Sequence, residues 1–91
     1  MSYQLEYTGQ FKRDIKLAQK RGLNLAHFKD ALVILEKDGK LPSKYKPHTL
    51  SGNWRGYWEC HIQPDWLLIW KKEESIKLIT LIRTGSHSDL F

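Results

Sequence analysis

The amino-acid sequence predicts an α+β domain: a two-layer sandwich in the order β-α-α-β-β-β, an antiparallel sheet with a helical hairpin packed on one face. Three observations carry this prediction. Apolar residues recur at helical spacing between Phe11 and Leu35. Beyond Asn53 the period changes to two. The segments are joined by a few residues only, so neighbours in sequence should be neighbours in space.

The first element is short. Tyr3, Leu5 and Tyr7 alternate with Gln4 and Glu6, the pattern of a strand with one buried face. Thr8 is placed to cap a helix in which Phe11, Ile15 and Ala18 form one apolar stripe, with Leu17 beside it. Lys12, Arg13, Lys16, Lys20 and Arg21 take the other faces, and Gly22 marks the end. Asn24 opens a second helix, whose Leu25, Phe28, Leu32 and Leu35 again share a face, and Asp38-Gly39 closes it.

Lys40 to Pro47 reads as a basic loop holding Lys40, Lys44 and Lys46. In the strand that follows, Trp54, Gly56, Trp58 and Cys60 are expected on one face and Arg55, Tyr57, Glu59 and His61 on the other. Gln63-Pro64-Asp65 is a turn, and Trp66 to Trp70 a mostly apolar, central strand. Lys72 to Ser75 is a polar turn, and Ile76 to Arg83 a strand rich in β-branched residues. Thr84 to Phe91 is expected to be a short ordered loop. At this length, one domain spanning 1–91 is the natural organisation.

Composition narrows the partners. With 15 Lys and Arg against 10 Asp and Glu the formal charge is +5, which favours polyanions. The single cysteine, Cys60, rules out an internal disulfide and a two-cysteine zinc site, and fits a reducing cytoplasm. The opening residues have no apolar core for a signal peptide, and the run Trp66 to Trp70 is far short of the ~20 residues that span a bilayer. Neither a membrane nor a metal or other cofactor is expected, because no Cys-x-x-Cys or His-x-x-x-His pair occurs and Cys60 and His61 should point to opposite faces.

Core packing accounts for the leucines and most of the tryptophans, Trp66 beside Asp65 being the one assigned a site-lining role. It does not account for His48, His61, Asp65, Arg83 and His87. In three consecutive hairpin strands, the ends of the first and third meet at one edge. Topology therefore gathers His61, Asp65 and Arg83, with His87 four residues further on able to fold back over them.

That set suits RNA cleavage without a metal. Such a reaction needs a base for the 2′-hydroxyl, an acid for the departing 5′-oxygen and a cation for the phosphoryl charge. Histidine titrates near neutrality and serves as either acid or base, and the arginine fork fits phosphate. Taken singly, each residue has a plainer explanation: a surface histidine, as His27 is expected to be, an aspartate capping a turn, an arginine paired with a carboxylate such as Glu59.

The same residues carry a family resemblance. Tyr7 to Arg21 resembles the opening of YafQ-like toxins of the RelE superfamily. His48-Thr49-Leu50-Ser51-Gly52-Asn53-Trp54 is similar to their His-x-Leu-x-Gly-x-Trp segment, and His61-Ile62-Gln63-Pro64-Asp65 to their His-x-x-Pro-Asp motif. Arg83-Thr84-Gly85-Ser86-His87-Ser88-Asp89-Leu90-Phe91 resembles their C-terminal ending. The resemblance implies a toxin of a type II toxin–antitoxin pair that cuts mRNA in the ribosomal A site and is silenced by a cognate antitoxin. It places the active residues on His48, His61, Asp65, Arg83, His87 and Phe91, the last stacking on a base.

On this reading His87 is the acid, His48 or Asp65 the base, and Arg83 the phosphate holder. Lys44 and Lys46 would grip ribosomal RNA, and an acidic antitoxin would match the positive charge. The alternatives are a gyrase-directed toxin on the same fold, or an RNA- or antitoxin-binding module without catalysis.

Overall fold

The computed structural model describes residues 2–91. Strand β1 (Gln4–Tyr7) leads into helices α1 (Gly9–Lys20) and α2 (Leu25–Asp38). Strands β2 (His48–Thr49), β3 (Trp58–Gln63), β4 (Trp66–Glu73) and β5 (Leu78–Gly85) follow, and the chain ends in a helical turn, α3 (His87–Leu90). The α+β architecture is as expected.

Local chemistry explains the helix ends. The Thr8 hydroxyl accepts from the Phe11 N–H, and the Asn24 side chain accepts from the Ala26 N–H, so both predicted caps are made. Gly39 ends α2 with φ at 72°, and a Cβ there would lie 2.3 Å from the Tyr3 ring. Only glycine satisfies both the left-handed turn and the close approach of the Tyr3 ring.

The sheet runs β1-β5-β4-β3-β2. Pairing is antiparallel from β5 to β2, but β1 lies parallel to β5, so the sheet is mixed rather than antiparallel throughout. The hairpin rule fixes the direction of strands joined by tight turns. No hairpin joins β1 to β5, so it does not govern that pair.

Two further differences have local causes. The expected strand from Trp54 to His61 starts only at Trp58, because Gly52–Trp54 forms a 3-10 turn and Gly56 adopts φ 92°. Trp54 therefore leaves the face of Trp58 and Cys60 and packs on the opposite side of the sheet. The C-terminal segment is not a loop: β5 continues to Gly85, and Ser86 and Asp89 form a reciprocal capping box around the last turn.

The main core lies between helices and sheet, where Phe11, Phe28, Ala31 and Leu35 meet Trp66, Leu68, Trp70, Ile79 and Leu81. A smaller cluster forms on the other face from Leu67, Ile69 and Leu90, with Leu50, Trp54, Tyr57 and Ile82 at its margin. Trp66 to Trp70 is buried on both sides, as a central strand should be. Among the described residues, no helix is long and apolar enough to cross a membrane.

Candidate functional site

The face of the sheet opposite α1 and α2 carries three of the histidines, His87 on the short α3 that packs there. His48 on β2 pairs across the ladder with Glu59 on β3, and His61, two residues beyond Glu59, projects to the same side. The His48 and His61 rings are 6.4 Å apart, and the His61 and His87 rings 5.8 Å apart. Three imidazoles thus stand in a row, with His48 and His87 at its exposed ends.

Asp65 stands behind His87. One carboxylate oxygen accepts the His87 backbone N–H at 3.0 Å and lies 2.7 Å from Nδ1 of the same residue. These two bonds, the backbone one foremost, hold the Asp65 carboxyl below the usual carboxylate range. The last turn that carries His87 is anchored in turn by Arg21, which donates from both terminal nitrogens to Asp89 at 2.5 and 3.1 Å.

At the other end, the His48 ring is held by two oxygens. Nδ1 is 2.9 Å from the Lys46 carbonyl, and Nε2 is 3.1 Å from Glu59 Oε1. Phe91, 59% exposed, leans edge-on against Trp54 with ring centroids 6.0 Å apart. Lys44 and Lys46 are exposed beside this end of the row, Lys44 with its ammonium 5.2 Å from the Tyr45 ring centre. His27 is exposed on α2, as expected.

Two expected site residues lie elsewhere. Trp66 is 1% exposed, stacks on Phe28 in the main core and donates its indole N–H to the Thr84 hydroxyl at 2.8 Å. It therefore offers no face to a substrate, and the site-lining role is withdrawn. Its parity along β4 points it at the helices, away from Asp65.

Arg83 does not join the histidines. Its Nε and Nη2 donate to Asp14 on α1 at 2.7 and 3.2 Å, and among the described residues it makes no polar contact with His48, His61, Asp65 or His87. A bulge lies beside it: Ile69 pairs with Arg83 but Trp70 with Leu81, leaving Ile82 as an extra residue. Thr84 N–H also donates to Asp14, at 3.1 Å, so Asp14 secures the strand beyond the bulge.

Sequence reasoning missed two carboxylates. Glu59, 5% exposed, touches His48, and Asp14, 7% exposed, takes Arg83. The period-two pattern placed Glu59 on the face of His61, which was the available signal; for Asp14 there was none beyond a charge near an apolar stripe. Among the described residues, no three His, Cys, Asp or Glu are grouped to hold a metal ion.

Fold and site together define a small α+β domain that presents a row of three histidines on the face of a mixed sheet opposite its two long helices. Residues 3–91 match the family model described as "Bacterial toxin of type II toxin-antitoxin system, YafQ", and the chain belongs to this family. The mRNA interferase toxin YafQ of Escherichia coli K12 is 43% identical over 88 residues, 96% of this chain and 94% of that protein. A crystal structure of YafQ from E. coli BL21(DE3) superposes with a TM-score of 0.90 at 41% identity, covering 98% of both chains. YafQ in the E. coli DinJ-YafQ toxin–antitoxin complex matches with a TM-score of 0.89 at 41% identity, covering 100% of this chain and 99% of that one.

Proposed function

We propose that this toxin is an endoribonuclease that cuts mRNA in the ribosomal A site, and that the row His48–His61–His87 is its active centre. The observation that carries the reading is the Asp65–His87 pair at 2.7 Å beside a second imidazole whose ring has no hydrogen-bond partner among the described residues, His61. The near-full-length likeness to a protein named as an mRNA interferase supports it.

The chemistry follows from which nitrogens are free. Asp65, a carboxylate, accepts the proton on His87 Nδ1, so Nε2 is the working nitrogen. His87 donates through it to the departing 5′-oxygen. Asp65 is occupied in orienting His87 and His48 is held at both nitrogens, so the base is His61 rather than either of them. The products are a 2′,3′-cyclic phosphate, opening to a 3′-phosphate, and a 5′-hydroxyl.

Phe91 stacks on a base, and Lys44 and Lys46 meet the RNA backbone. A cognate antitoxin neutralises the chain, as the complex of the E. coli relative with DinJ suggests. With the formal charge at +5, acidic segments in that partner would be complementary.

The test is a primer-extension map of a message translated with the toxin and with its His87→Ala variant. In-frame cuts that need the ribosome, leave 5′-hydroxyl ends and vanish in the variant are expected. Cuts with 5′-phosphate ends, or growth arrest by a folded His87→Ala toxin, would reject this chemistry.

A further inference from the structure

The hydrogen bonds at His48 leave it no free lone pair. Nδ1 faces the Lys46 carbonyl at 2.9 Å, and a carbonyl only accepts, so Nδ1 carries a proton. Nε2 faces Glu59 Oε1 at 3.1 Å. Glu59 is a buried carboxylate; its second oxygen, Oε2, is shut from solvent and has no partner among the described residues. A buried acid with one oxygen unpaired is costly, and the His48 contact is the one polar interaction its side chain makes among those residues. The mechanism above assigns Glu59 no part.

We propose that Glu59 is a positioning residue that holds His48 doubly protonated, so that His48 supplies the positive charge for the phosphodiester that Arg83, tied to Asp14, does not bring to the row. The proposal rests on the ribonuclease reading and deepens it. The His48 side chain is 47% exposed and its ring stands 6.4 Å from that of His61, so an anion bound at the row would lie beside it. Its charge acts there through the field, since both N–H groups are engaged.

The groups facing His48 are Glu59 and His61 on β3, with Lys46 on the preceding loop. Glu59 is the one among them that stabilises the cation. The β2–β3 register, which sets His48 opposite Glu59, makes this contact a feature of the fold rather than a chance surface pairing.

The experiment has two parts. Nitrogen-15 spectra of the His48 ring in the intact toxin at pH 7 should show both ring nitrogens protonated; a neutral ring with one bare nitrogen overturns the proposal. Cleavage kcat and KM are then measured for the parent, Glu59→Gln and Glu59→Asp, each checked for folding by its melting curve.

Glu59→Gln should lose about tenfold to a hundredfold in kcat, the scale seen when the outer partner of a metal-bound histidine is removed. Glu59→Asp, which keeps the charge, should recover most of the loss. A folded Glu59→Gln with parental kcat, or a Glu59→Asp that recovers none of the loss, overturns the proposal. Should Glu59→Gln fail to fold, the ring spectra and Glu59→Asp decide. A parent that cuts no RNA, yet shows a doubly protonated His48, would instead reject the ribonuclease reading and leave the Glu59 contact standing.

Discussion

His87 donates to Asp65 twice, once from its backbone N–H at 3.0 Å and once from Nδ1 at 2.7 Å, and both bonds end on the same carboxylate oxygen. Two donors from one residue on a single oxygen fix both the start of the last turn and the tautomer of the ring. Because the Asp65 carboxyl is held below its usual range, chiefly by the backbone bond, the anchor is in place at neutral pH. It is released only as the pH falls through that lowered value.

Asp65→Ala should therefore lower kcat by about a hundredfold or more, the scale of a positioned acid–base group, with little change in KM. Asp65→Asn keeps an acceptor for the backbone N–H but not the charge behind the ring, and should fall between the two. Single-turnover cleavage of the three proteins checks this. Since Asp65 and His87 lie at the surface, the melting temperature should barely move.

The Arg83–Asp14 pair makes a different prediction. Breaking a buried ion pair costs about 3–5 kcal/mol, but the 27% exposure of the Arg83 side chain returns part of that through water, so about 2 kcal/mol is expected for Asp14→Ala. Asp14→Ala combined with Arg83→Met should be less destabilised than the sum of the single changes, because the stranded partner is gone. Urea unfolding measures both. Cleavage by Arg83→Ala should fall only as far as its folded fraction; a larger loss would return Arg83 to the phosphate.

These two arginine and aspartate contacts also mark where the sequence was readable. The helical stripe from Phe11 to Leu35 and the alternation from Trp58 onward come from burial on one face, which repeats along the chain and so shows in any single copy of it. Hairpin topology predicts that His61, Asp65 and Arg83 gather, with His87 folding back over them; His87 does reach Asp65 and stands beside His61, whereas Arg83 turns to Asp14. Arg83 escaped because hairpin topology brings strand ends together without saying which face a side chain takes, and Arg83 follows Ile79 and Leu81, which pack against the helices. Trp66 escaped because adjacency to Asp65 in sequence means opposite faces in a strand. The parallel β1–β5 pair is a long-range choice that no local pattern encodes.

Acid should loosen the molecule at two surface clamps. Asp89 is held well below the carboxylate range, first by Arg21 and then by the Ser86 backbone N–H. Glu74 is lowered to about 2, first by Lys77 and then by the Tyr3 hydroxyl. Both are depressed in the folded state, so their contribution is complete above the unfolded carboxylate pKa of about 4 and is lost as the pH falls toward 2. The urea midpoint should drop over that window, and Arg21→Ala and Lys77→Ala should each flatten the drop. Arg21→Ala should also reduce cleavage at neutral pH, because Asp89 holds the turn that presents His87.

Phe91 tests how the RNA is gripped. Phe91 is 59% exposed and meets Trp54 in a T-shaped contact, which supports the ring while leaving much of it open to solvent. Stacking of a nucleobase on an aromatic ring is worth about 1–3 kcal/mol, which is roughly fivefold to 150-fold in affinity. Phe91→Ala should raise KM by a factor in that range while kcat, set by His61 and His87, changes little. Phe91→Tyr keeps the aromatic face and should restore the parental KM. Trp54→Ala removes the support without touching the ring and should give a smaller rise of the same kind. A fall in kcat at unchanged KM in Phe91→Ala would place the ring in the transition state instead of in the binding of the base.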